Sequence, residues 1–247
     1  MSGHNKWSSI KHRKGAQDTK RSKIFSRLVK EIHVAVKEGG ADVDANPRLR
    51  LAIQNAKGVN MPKDNIERAI SKASGSGESF EEVTFEGYAP HGVGVFVECL
   101  TDNHQRTVGM VRSVFNKRGG NLSTHGSLSF MFERKGVFTI AKDNLDPEEF
   151  ELEIIDAGVD EIDDVEDKFI LYCPMEEFGP VQKKLEEMNI TPENAELQRI
   201  PTSTKELDKE SALKVLKVVE ELEELDDVQN VYHNLEASDE LVEAMNS

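Results

Sequence analysis

The chain has 247 residues, 37% apolar and 31% charged, with 2 cysteines and a formal net charge of −15. No run approaches the about eighteen consecutive apolar residues of a membrane helix, so an integral membrane protein is not expected, and the start, Met1-Ser-Gly-His-Asn-Lys-Trp, has no apolar core of the kind a secretory signal needs. The net charge conceals a division: residues 1–75 carry 16 Lys/Arg against 7 Asp/Glu, whereas residues 76–247 carry 15 against 39.

Taken in chain order, the first predicted element is a helix over Ser22–Val36. Ile24, Phe25, Leu28, Val29, Ile32, Ala35 and Val36 recur at three- and four-residue spacing, while Lys20, Lys23, Arg27, Lys30 and Lys37 share the other half of the wheel. Gly39-Gly40 stops it. Asn46-Pro47 starts a second helix, with Asn as N-cap and Pro in the first turn, running to about Lys57. A third begins near Pro62, and Ser74-Gly-Ser-Gly-Glu-Ser reads as a linker. Beyond it the period changes. Val83–Tyr88 and Val93–Leu100 read as strands, followed by a helix opened by Asp102 and Gln105 as a capping pair, with Val108, Val111, Val114 and Phe115 inward. Gly119-Gly120 ends that helix, and Leu128–Phe132 reads as a strand.

Residues 134–202 then fit a complete βαββαβ unit, the ferredoxin-like order: strand 136–141, helix 147–157, strands near 162 and at 168–173, helix 175–188 and strand 195–200. What remains is one long helix, with Leu213, Leu216, Val219 and Leu222 inward, and one strand, Val228–His233. A lone helix–strand pair has no sheet of its own, so it is expected to return to the sheet begun before the insert. The expected fold class is α+β, an N-terminal three-helix domain followed by two α/β domains, one ferredoxin-like unit inserted in the other. The expected boundaries are 1–78, 79–133 plus 203–247, and 134–202.

The strongest chemical signal is the basic segment Lys6, Lys11, Arg13, Lys14, Lys20, Arg21, Lys23, Arg27 and Lys30, interrupted by a single acid, Asp18. Clustered cations of this kind bind phosphate backbones by displacing condensed counterions. The plain alternative, a solvated helix face, interleaves both signs, and this segment does not. Trp7 is either a base-stacking platform or a staple for the arm. The insert, with 7 Lys/Arg against 19 Asp/Glu, is repelled by phosphate and suits either solubility or docking of a basic protein of the transcription or translation machinery.

No metal or cofactor is expected. His4, His12, His33, His91, His104, His125 and His233 form no HExxH or paired set, and the acidic run Asp160–Asp167 lacks calcium-loop spacing. Gly92-Val-Gly94 lies in a strand and Gly119-Gly120 follows a helix C-terminus, so neither is a phosphate loop. Asp102 and His104 with His125 could be drawn as an acid–base group, but Asp102 is better explained as a helix cap. Cys99 and Cys173, each inside an apolar run, read as buried hydrophobes, and their number excludes a disulfide framework and a thiolate zinc site. No catalytic residue and no enzyme is expected, and the cysteine usage suits a reducing cytoplasm.

Several strings are recognisable: Gly3-His-Asn-Lys-Trp-Ser, Lys11-His-Arg-Lys-Gly-Ala-Gln-Asp, Lys20-Arg-Ser-Lys-Ile-Phe-Ser-Arg, Asp44-Ala-Asn-Pro-Arg-Leu-Arg, Glu86-Gly-Tyr-Ala-Pro-His-Gly, Gly119-Gly-Asn-Leu and Leu225-Asp-Asp-Val-Gln-Asn-Val-Tyr-His-Asn. Together they closely resemble the YebC/PmpR family across nearly the whole chain. That resemblance implies three domains with one α/β domain inserted in another. It also implies a DNA-binding transcriptional regulator of the bacterial, cytoplasmic type, whereas mitochondrial relatives are described as translational activators. Contact with ribosomal RNA is therefore the alternative to DNA.

Overall fold

The computed structural model describes residues 18–143, 145–238 and 241, with side chains from residue 21 onward. Helix α1 (Asp18–Gly39) is followed by α2 (Pro47–Gly58) and α3 (Lys63–Gly75). The turn between α1 and α2 is built around Asn46. Its side chain accepts the Leu49 N–H at 3.0 Å and donates to the carbonyls of Ala35 at 2.7 Å and Gly40 at 2.8 Å. One amide thus caps the second helix and closes the first, as the Asn-Pro signal predicts. Gly40, at φ +83°, takes the left-handed turn that ends α1.

The contacts gather the described residues into two compact units: 18–31, 77–133, 200–238 and 241 in one, and 32–76, 134–143 and 145–199 in the other. The first holds a four-stranded sheet in the order β3-β1-β2-β8, from strands β1 (Glu81–Ala89), β2 (Val93–Thr101), β3 (Asn121–Leu122) and β8 (Val228–His233). All its pairings are antiparallel. The C-terminal strand does return to the first sheet, because the helix before it needs that sheet to bury its apolar stripe. Helices α4 (His104–Lys117) and α7 (Lys209–Glu223) pack on one face through Val111, Val114, Phe115, Val215, Val218 and Leu222. The alternation of β2 sends Val93, Val95, Val97 and Cys99 into that core and Phe96 into a second, smaller one with Leu128, Phe132 and Tyr232.

The other unit contains a sheet of order β5-β6-β4-β7, from β4 (Phe132–Ala141), β5 (Glu161–Val165), β6 (Lys168–Pro174) and β7 (Asn194–Pro201). With α5 (Pro147–Asp156) and α6 (Phe178–Glu187), this is the ferredoxin-like arrangement, the fourth strand lying beside the first. Phe138, Phe150, Phe169, Ile154, Leu171 and Leu185 form its core, and Leu51 of α2 packs against it. Asn55 of α2 acts as a backbone mimic for β7, donating to Ala195 O and accepting from Ala195 N, both at 2.9 Å. Gly58 is required here, since a Cβ would overlap the Glu193 carbonyl oxygen.

Two local expectations are corrected. Helix α4 is capped by Asn103, which accepts the Arg106 N–H at 3.0 Å, while Asp102 pairs with the Arg106 guanidinium at 2.7 Å. Leu128–Met131 is not extended: Ser129–Met131 is a 3-10 turn, and the strand begins at Phe132. The N–H groups of Gly126 and Leu128 are taken by the buried Glu86 carboxylate, at 2.7 and 2.5 Å, and Met131 N–H donates to Leu128 O at 2.9 Å, closing the 3-10 turn. Both cysteines are buried, and burial pushes the Cys99 thiol up to about 12 and the Cys173 thiol to about 11, as their apolar settings suggest.

Candidate nucleic-acid interface

Of the nine cations in the basic segment, Lys6, Lys11, Arg13 and Lys14 lie outside the described residues, as does Trp7. Lys20 lies on α1 without a described side chain. Arg21 is exposed, its guanidinium 5.4 Å from the Phe25 ring centroid. The remaining three point elsewhere. Lys23 donates to the carbonyls of Glu223, at 3.4 Å, and Glu224, and pairs with the Glu224 carboxylate at 3.0 Å. Arg27 donates to Glu223 O at 2.9 Å. Lys30 reaches Asp226 O at 2.9 Å, Leu100 O at 3.3 Å and the Asp227 carboxylate at 3.0 Å, with its ammonium 5.3 Å from the Phe80 ring centroid.

Lys23 and Arg27, one helical turn apart on α1, meet the C-terminal end of α7, and Lys30, the next turn on, meets the segment that follows it. A helix ends with carbonyls that have no intrahelical partner and with the negative end of its dipole, so cations there satisfy both. The helix supplies no basic residue of its own in that turn. The cations come from a segment about 200 residues earlier in the sequence and fix the first half of α1 to this unit.

At the centre sits Asp227, which spacing and motif reading had not singled out. It is 3% exposed and accepts from Lys30, from Arg106 at 2.8 Å, from Thr107 Oγ1 at 2.8 Å and from Thr101 Oγ1 at 3.3 Å. Burial alone raises its carboxyl pKa; the hydrogen bonds from Arg106, Lys30 and Thr107, with the Lys30 charge, outweigh this and hold it below the usual carboxylate range. The one sequence signal was an acid immediately before an apolar strand, in Leu225-Asp-Asp-Val, and nothing in the pattern names its partners.

The groups considered for acid–base chemistry also have structural partners. His104 stacks on Phe85 with centroids 6.0 Å apart, Asp102 pairs with Arg106, and His125 Nδ1 lies 3.3 Å from Thr84 Oγ1. Among the described residues there is no cluster of three or more His, Cys, Asp or Glu able to hold a metal, and no helix long and apolar enough to cross a membrane.

Residues 5–76 match the family model for the TACO1/YebC protein N-terminal domain, and residues 80–235 match that for the TACO1/YebC second and third domain. The chain belongs to the TACO1/YebC family. Its TACO1/YebC relatives include a protein from Amoebophilus asiaticus, 51% identical over 97% of this chain and 100% of its own length. Another, from Geobacter sulfurreducens, is 48% identical over 99% and 100%. Both are named "probable transcriptional regulatory protein". A crystal structure of a conserved hypothetical protein from Aquifex aeolicus is similar, with TM-score 0.81 and 45% identity over 90% of this chain and 93% of that one.

Proposed function

We propose that this TACO1/YebC protein is a non-enzymatic regulator of gene expression that binds DNA through phosphate contacts made by its basic N-terminal segment. The observation that carries the reading is the density of cations in residues 6–30 of a chain whose net charge is −15. The names of its relatives, which call them transcriptional regulators, support the same role. Domains bounded at 1–78, 79–133 plus 203–247, and 134–202 divide the work: the first holds phosphate, and the acidic insert stays clear of it or meets a basic protein. With Lys23, Arg27 and Lys30 engaged on α7 and Asp227, phosphate contact falls to Lys6, Lys11, Arg13, Lys14, Lys20 and Arg21. A cytoplasmic location accords with this role.

The test is the salt dependence of binding to a fluorescein-labelled DNA duplex. Five or six phosphate contacts give a log–log slope of about −4.5 to −5.4. Replacing Lys6, Lys11, Arg13 and Lys14 with Gln removes about 3.6 from that slope while leaving the melting temperature unchanged. A slope near zero in the parent protein overturns the reading. Sedimentation with ribosomal particles that survives DNase but not RNase assigns the same cations to ribosomal RNA instead.

A further inference from the structure

The thirteen residues Gly119–Met131 contain no Asp, Glu, Lys or Arg, in a chain that is 31% charged. Beside Leu122, Leu128 and Met131 they are glycine and hydroxyl- or amide-bearing residues with one histidine and one phenylalanine; glycine, serine and asparagine are residues that recognition loops favour. The loop is held from within. Besides the two N–H groups taken by Glu86, Ser123 N–H donates to Glu86 O at 2.7 Å, and Ser129 Oγ donates to Gly126 O at 2.9 Å. Leu128, fully buried, anchors its centre, and Thr202 N–H donates to Met131 O at 2.9 Å.

From this fixed backbone Phe130 stands 75% exposed, between the 3-10 turn's neighbours Leu128 and Met131, which both pack into the second core. An aromatic ring presented to water by ordered backbone has little left to lose in conformational freedom when it binds. Ser129 precedes it in the chain, and the hydroxyl of Thr202 lies 3.4 Å from Phe130 O; both are hydrogen-bonding groups without formal charge. A protein-binding anchor would be expected among other exposed apolar side chains. Among the described residues of this unit the other large exposed ones, Val29 and Leu213, are only 36% and 37% exposed and lie on helices.

We infer that the loop Gly119–Met131 binds an unpaired base of single-stranded nucleic acid, with the Phe130 ring as its stacking platform. The inference rests on the nucleic-acid reading above and adds to it the state of the strand. A loop without Asp, Glu, Lys or Arg offers phosphate no strong ion pair, so the contribution of its ring is to the base; a ring face stacks on any base, but only one that is not already stacked within a duplex. Phe130 supplies preference for single strands.

The experiment uses the full chain and an adenine-rich single strand carrying 2-aminopurine, made once as DNA and once as RNA, with the duplex formed from the DNA strand as control. Phe130→Ala weakens single-strand binding by about 5- to 150-fold and leaves duplex affinity unchanged, while Phe130→Trp retains both. Quenching of 2-aminopurine on binding, present in the parent, is lost in Phe130→Ala. Comparing the two single strands tells whether the base comes from RNA or DNA. If the parent binds the duplex with a steep salt dependence and Phe130→Ala binds single strands as the parent does, this inference alone fails. An equal loss on duplex and single strand also overturns it. If the parent binds none of the probes, the phosphate reading fails and this inference with it.

Discussion

Replacing Asp227 with Ala should destabilise the unit built on the β3-β1-β2-β8 sheet and release the first half of α1 from it. The carboxylate is 3% exposed and receives four side-chain donors. Deleting one member of a buried charge cluster costs about 3–5 kcal/mol, since the charge left behind keeps its desolvation without its partner. Here the Lys30 side chain is 18% exposed and stays largely dry, whereas Arg106 is 45% exposed and recovers much of its loss from water. The low end, about 3 kcal/mol, is therefore expected, or about 6–12 °C in melting temperature at this chain length. Asp227→Asn keeps the volume and one acceptor but loses the charge, and should cost about half as much. Thermal melts followed by circular dichroism measure the first effect. Tryptic cleavage at Lys23, Arg27 and Lys30 under native conditions measures the second, because losing Asp227 removes one of the contacts that hold this half of α1 to the unit. A double-mutant cycle with Lys30→Met should give a coupling of about 1–3 kcal/mol. An Asp227→Ala protein that melts with the parent and cleaves no faster would refute the claim that these cations serve to dock α1.

The acid limb of stability should report the same carboxylate. Because the folded-state pKa of Asp227 lies below its unfolded value, its contribution is complete above the ordinary carboxylate range and disappears as pH falls through the folded value. Asp227→Asn should flatten that limb, and a limb unchanged by the substitution would exclude Asp227 as its source. Glu86→Ala leaves the Gly126 and Leu128 N–H groups without their acceptor and should cost about 2–4 kcal/mol in urea titration, with faster amide exchange at both residues. Equal exchange in parent and variant would count against Glu86 as the organiser of the loop. Asn55→Ala removes both bonds to Ala195 and should lower the stability of the unit holding the β5-β6-β4-β7 sheet by about 1–3 kcal/mol; a neutral result would mean that β7 does not depend on α2.

Most of the architecture was legible in the chain itself. The three- and four-residue spacing of apolar side chains placed α1, the Asn46-Pro47 pair placed the start of α2, and the alternation in Val93–Leu100 placed β2. Each is a local property, set by which backbone geometry can bury a given pattern. The pairing of β8 with β2 was also legible, because a helix and strand at the end of the chain cannot bury their apolar faces without a sheet to join. Capping at Asn103 rather than Asp102 was not: both residues can cap, and the choice followed Arg106, whose guanidinium is drawn to Asp102 and Asp227 together.

The site divides in the same way. Charge counting located the basic segment but could not assign its members, since an ammonium group is served equally well by a phosphate outside the protein or a carbonyl within it. Only the tertiary structure showed that Lys23, Arg27 and Lys30 meet the exposed carbonyls of α7 and the buried Asp227, partners about 200 residues away in sequence. Likewise Phe130 in sequence is one more apolar residue inside an expected strand, Leu128–Phe132. Its exposure was decided when Glu86, 40 and 42 residues before Gly126 and Leu128, took their N–H groups and turned Ser129–Met131 away from the sheet. Periodicity is written into neighbouring residues; the destination of a charge or a ring depends on what the folded chain brings opposite it.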